Sequence, residues 1–213
     1  MTSGTLEDRV DRLESIDEIR QLVAKYSLAL DMRDADAWVG LYPRDVRVGK
    51  GTSGRAALKQ WFDTTMRERF TGTAHVTGNH IIEFDDIDDA HGLVYSRNEH
   101  EMDGRWIVMT MMYWDQYERR DDDGEPRWYF RRRLTLYWYA SHAIEPPVGP
   151  LKMRWPDQEP WEGSWHEFFP SWQRFWADAG GADGDVDVAE PAPLGEFLAR
   201  LKGDVTVSSV RVV

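Results

Sequence analysis

Apolar residues recur at helical spacing along the first thirty positions, at Leu6, Val10, Leu13, Ile16, Ile19, Val23, Tyr26 and Leu30. Ser15 followed by Glu18 has the form of a capping box. The spacing therefore predicts a short leading helix and a main helix over about 16–32. "DADAWVGLYP" predicts a second short helix, with Asp34 as N-cap and a stop before Pro43. "DVRVGKG" predicts a brief strand, and "SGRAALKQWFDTTMRERF" a third helix with Ala57, Leu58, Trp61, Phe62 and Met66 on one face. From Thr73 the period changes to two. "TAHVTGNHIIEFDD", "HGLVYSRNEHEMD", "RWIVMTMMYWDQYERR" and "RWYFRRRLTLYWYA" read as strands divided by "IDDA", "DG" and "DDDGEP". Three helices ahead of an antiparallel meander define an α+β fold, with the helices on one face of a curved sheet.

Strand alternation sorts the polar residues. Parity sets His75 and His80 on opposite faces of the first long strand, so one of them looks inward and the other is a structural or surface residue. On the second strand Ser96, Asn98 and His100 share a face, opposite Arg97, Glu99 and Glu101. On the third, Met109, Met111, Tyr113 and Asp115 oppose Trp106, Val108, Thr110, Met112 and Trp114. In "RRR" at 131–133 only one parity can be solvated, so at least one arginine points inward.

After Tyr139 the character changes. Prolines and glycines, five tryptophans within "RWPDQEPWEGSWHEFFPSWQRFW", an acidic linker, a short helix at "LGEFLARLKG" and a β-like run "VTVSSVRVV" follow. The length of 213 residues suits one domain, here 1–141, with a Trp-rich extension, 142–213, expected as a lid or subunit contact. With 26 basic against 38 acidic residues the formal charge is −12, which argues against nucleic acid and anionic membrane partners and for a small molecule. The absence of cysteine excludes disulfides, thiolate metal sites and a cysteine nucleophile. An acidic N-terminus and no long apolar run lead us to expect a cytoplasmic protein.

"IRQLVAKYSLALDMRDADAWVGLY", "TAHVTGNHIIEF" and "YWDQYERRDDDGEPRWYFRRRLTLYW", in this order, resemble the SnoaL-like branch of the nuclear transport factor 2-like superfamily over about residues 14–141. The resemblance implies a cone-shaped barrel: a curved antiparallel sheet wrapped around N-terminal helices, with one apolar pocket. It also implies a pocket chemistry. Lyases of the family hold an Asp and a His where this chain has Asp31 and His75, and the carboxylate fixes the tautomer so that the other ring nitrogen stays basic. The resemblance further points to Tyr26 as a hydrogen-bond donor or general acid and Arg133 as a cation for a developing charge. Ser96, Asn98, His100, Met111, Tyr113, Asp115, Thr135 and Tyr137 are the expected substrate-lining residues. Asn98 stands where the family's bile-acid dehydratases have an Asp, so a proton-transfer role does not carry over to it, and His100 is the neighbour that could replace it. No metal and no cofactor are expected, since phosphate loops and metal-binding signatures are absent from the sequence.

The expected function is a cofactor-independent lyase acting on a hydrophobic aromatic or polycyclic substrate. Dehydration, dehydrohalogenation and retro-aldol deformylation of a lignin-type diaryl diol all fit. The rivals are a ketosteroid-type isomerase and a non-catalytic small-molecule-binding or oxygenase small-subunit-like protein. A homodimer or homotrimer is expected from the resemblance and the Trp-rich extension.

Overall fold

A computed structural model describes residues 4–144 together with residues 159, 177 and 209–210. The first helix, α1 (Leu6–Asp31), runs unbroken through the expected junction near residue 16. Its capping box lies at the start instead: Asp8 N–H donates to Thr5 Oγ1 (3.1 Å) and Thr5 N–H to an Asp8 carboxylate oxygen (2.7 Å). Ser15 does not cap, because it sits mid-helix on the inward stripe, 2% exposed. Helix α2 (Ala35–Val39) begins as expected, with Asp34 accepting from Ala37 N–H at 3.0 Å. Strand β1 (Arg47–Val48) and helix α3 (Arg55–Arg69) follow, and Leu58, Phe62 and Met66 bury the predicted face of α3.

Strands β2 (Gly72–Phe84), β3 (Asp89–Met102), β4 (Arg105–Arg120) and β5 (Arg127–His142) form the antiparallel meander. Within the final β-like run, β6 (Ser209–Val210) lies parallel between β1 and β5, giving the order β1-β6-β5-β4-β3-β2. The sheet is curved and open, with β1 and β2 at its edges. Helix α1 packs against β2 and β5 across the concave face. Ile19, Leu22, Val23 and Leu30 of α1 meet Met109, Met111, Tyr113, Tyr117 and Phe130 there, with Trp38, Tyr42 and Phe62 filling the end. Leu93, Met112 and Trp114 form a second buried cluster on the other face, beside Leu134, Leu136 and Trp138. Among the described residues no helix is long and apolar enough to cross a membrane. The Trp-rich segment, apart from residue 159, and the predicted helix at "LGEFLARLKG" lie outside the described residues.

A bulge in β2 overturns the parity expected for its histidines. Thr77 pairs with Ser96 but His80 with Val94, so three steps along β2 match two along β3. The extra residue resets the alternation, and His80 turns to the same inner side as His75, its Nε2 3.1 Å from Tyr117 Oη. Two similar irregularities in β5, around Arg131 and Trp138, keep Arg133, Thr135 and Tyr137 opposite Asp115, Tyr113 and Met111.

Gly92 faces this region closely. A Cβ there would lie 2.6 Å from the Ile81 carbonyl oxygen, 3.2 Å from the Tyr117 ring and 3.3 Å from His80 Nε2. The backbone oxygen cannot move aside cheaply. Gly92→Ala is expected to cost about 1–3 kcal/mol, the usual range for overpacking, read as a lower urea midpoint.

Candidate active site

Asp31 is the last residue of α1, and the chain leaves it through Arg33, whose φ of 59° is in the left-handed region. That conformation is uncommon for a side-chain-bearing residue. It is held by the Arg33 guanidinium, which donates to Leu30 O (2.8 Å), Phe70 O (3.3 Å) and Thr73 Oγ1 (2.7 Å). The helix end is thereby clamped to the start of β2. Thr73 passes the contact on, its hydroxyl donating to Asp31 Oδ1 at 2.9 Å.

The same carboxylate takes two bonds from His75: the backbone N–H reaches Oδ2 at 2.8 Å and ring Nδ1 lies 2.6 Å from Oδ1. An ionised carboxylate only accepts, so Nδ1 carries the hydrogen and Nε2 the lone pair. Burial acts to raise the Asp31 pKa, but the bonds from the His75 ring and amide outweigh it and hold the carboxyl below its usual value. The His75 side chain is 5% exposed, and its Nε2 meets no hydrogen-bond partner among the described residues. His100 stands edge-on to it at 5.4 Å between ring centres, with Phe70 at 4.9 Å on its other side. Burial, reinforced by the neighbouring His75, pushes the His100 imidazole down to about 3.

From the dyad a continuous polar strip runs inward. Asn98 pairs with His75 across the sheet. Its carbonyl accepts from Ser96 Oγ at 2.5 Å, while its amide donates to Tyr113 Oη at 2.7 Å. Beyond Tyr113 lies Arg133, bound in bidentate fashion to Asp115 at 2.8 and 2.6 Å. The guanidinium carbon sits 4.2–4.3 Å from the ring centres of Tyr26, Tyr113 and Phe130, a geometry in which the ring faces stabilise the cation. Its Nη1 is buried and reaches no acceptor at hydrogen-bond geometry among the described residues. Burial raises the Tyr26 phenol, which keeps its proton.

The predicted residues thus fall into two connected groups, Asp31, His75 and His100 at the helix end and Ser96, Asn98, Tyr113, Asp115, Arg133 and Tyr26 further in. Met111 is buried in the wall between them, and Thr135 and Tyr137 are half-buried beside it. Sequence reasoning missed Arg33, Thr73, Tyr117 and His80. "DMRD" and "TAH" carried a signal for the first two, since a cation and a hydroxyl stand two residues from each dyad member. His80 was hidden by the bulge.

Two neutral imidazoles, His100 buried and His80 half-buried, make stability pH-dependent. Burial also lowers His80, to about 4. Both values lie below the ordinary histidine value, so the unfolded chain binds more protons than the folded one as pH falls below about 6.5. Stability is full above that value and declines between pH 6.5 and 4, by about 1.4 kcal/mol per unit for each ring. Denaturant melts across that range are expected to show uptake of about two protons on unfolding.

A long helix laid across a curved antiparallel meander is the architecture of nuclear transport factor 2-like proteins. The chain belongs to the SnoaL-like domain family, whose model matches residues 11–134. No curated protein matches it by sequence. Among solved structures it is similar to LinA (21% identity, TM-score 0.57, covering 67% of this chain and 99% of that one). The hexachlorocyclohexane dehydrochlorinase LinA-type3 of Novosphingobium barchaimii gives 20% identity and a TM-score of 0.56, covering 64% of this chain and 94% of that one. A candidate scytalone dehydratase from Novosphingobium aromaticivorans gives 22% and 0.54, covering 65% and 93%. At these identities the likeness carries the fold, and the chemistry rests on the residues themselves.

Proposed function

We propose that the protein is a cofactor-independent lyase in which His75, oriented by Asp31, is the general base. The observation that carries the reading is the 2.6 Å contact of His75 Nδ1 with Asp31 together with an Nε2 that meets no hydrogen-bond partner among the described residues. Nε2 removes a proton from the substrate. The electrons of the broken bond form a new double bond, and the leaving group departs with its own bonding pair. Arg133 offers at Nη1 an N–H that has no acceptor among the described residues for the charge that develops, and Tyr26 a phenolic proton. The aromatic and methionine side chains packed around these groups suit contact with a hydrophobic aromatic or polycyclic substrate. The names of the similar structures, a dehydrochlorinase and a candidate dehydratase, agree with elimination chemistry.

The isomerase reading needs an inward carboxylate free to shuttle a proton. Asp31 is committed to His75 and Thr73, and Asp115 to Arg133 and Tyr117. Elimination is therefore the reading we adopt. It is tested by incubating the purified protein with hydroxysteroids, diaryl diols and alkyl halides and weighing the products. A product lighter by water, hydrogen halide or formaldehyde, formed by the parent and not by His75→Ala, is expected. A product of unchanged mass, or equal conversion by both proteins, would overturn it.

A further inference from the structure

A cleft lies beside the bulge that turns His80 inward, and neither Asp31 nor His75 lines it. It measures about 250 Å³ and lies between α1 and the β2–β3 pair, lined by Arg20, Val23, Thr77, Gly78, His80 and Val94. Val94 is 0% and Val23 3% exposed, so its floor is apolar and reaches the core. Its polar groups are a guanidinium, a hydroxyl and an imidazole. Among the described residues no acidic side chain lines it, in a chain that carries 38 of them and a formal charge of −12.

The hydrogen-bond polarity at His80 follows from its neighbours. Tyr117 Oη donates to Asp115 at 2.9 Å, and Asp115 can only accept. The single phenolic hydrogen is thereby used, so His80 Nε2 must be the donor in its 3.1 Å contact with Tyr117 Oη. The ring consequently bears its lone pair on Nδ1, the opposite tautomer from His75. His80–Tyr117–Asp115–Arg133 is then one hydrogen-bonded chain from the cleft to the caged guanidinium.

We propose that this cleft binds a small organic monoanion with an apolar body, its anionic group held by Arg20, Thr77 and His80 and its body on Val23 and Val94. The volume suits a single ring with one charged substituent and is below the range of drug-sized sites. The charge-assisted contact to Arg20 supplies most of the affinity. An anion beside His80 favours the protonated ring, so binding takes up a proton at Nδ1 and tightens as pH falls. The charged groups that face His80 are Arg20 from α1, Asp115 from β4 and Arg133 from β5. The proposal does not depend on the lyase reading.

The probe is benzenesulfonate, which stays anionic throughout, with neutral benzenesulfonamide as the control, followed through the histidine ring signals of the full-length protein by NMR. A saturable shift of the His80 signal is expected with the sulfonate and not with the sulfonamide. Arg20→Met, on the exposed side of α1, should weaken binding by about tenfold or more, as loss of a charge-assisted contact does. Affinity should rise from pH 8 to pH 5 in the parent and stay flat in His80→Gln. Equal shifts with both probes, an unchanged affinity in Arg20→Met, or shifts confined to His75 and His100 would overturn the proposal.

Discussion

Replacing His75 by alanine is expected to lower turnover by about 10²–10⁴-fold, the usual contribution of a positioned base, with the thermal midpoint close to the parent's. The ring's bonds run to one partly exposed carboxylate, and Arg33 and Thr73 still hold the helix end to β2 without it. Asp31→Asn should cost a similar amount for another reason. A carboxamide can present an N–H to Nδ1, which reverses the tautomer and removes the lone pair from Nε2. Free imidazole should restore part of the activity of His75→Ala and none of that of Asp31→Asn. Rescue of both, or of neither with activity intact, would remove His75 from the chemistry.

The second large effect is on stability. Asp115 is 0% exposed, and Asp115→Ala leaves the Arg133 guanidinium in an aromatic cage with no counter-charge. Breaking a buried pair from one side costs about 3–5 kcal/mol, because the remaining ion has lost its solvent and its partner together. For a chain of this size that is a fall in Tm of about 6–20 °C. The double variant Asp115→Leu/Arg133→Met removes both charges, and most of the stability should return. Activity should not return, since the donor at Nη1 is gone with the guanidinium. Calorimetry of the single and double variants separates the fold's need for a neutral pair from the reaction's need for a cation.

The fold was largely legible because its signals are periodic. The change from period 3.6 to period 2 at Thr73 located the helix-to-sheet transition, and "DG" and "DDDGEP" located the hairpins. The division of α1 failed because Ser15–Glu18 has the chemistry of a cap, and burial of Ser15 against the core decides otherwise. The dyad came from residue identity and the family pattern. Its supports did not, since Arg33 and Thr73 act through a backbone turn and a cross-element contact that no local spacing records. His80 failed for a more general reason. A one-residue bulge reverses every facing assignment beyond it, and "TGN" between the two histidines did not mark where the extra residue falls.

General-base catalysis by His75 requires a lone pair at Nε2. Long-range ¹H–¹⁵N NMR of the histidine rings reads that directly, in the parent and in Asp31→Asn. The expected result is a His75 ring with its hydrogen on Nδ1 in the parent, lost as a fixed tautomer in Asp31→Asn. A parent ring with its hydrogen on Nε2 would contradict the assignment of His75 as the base.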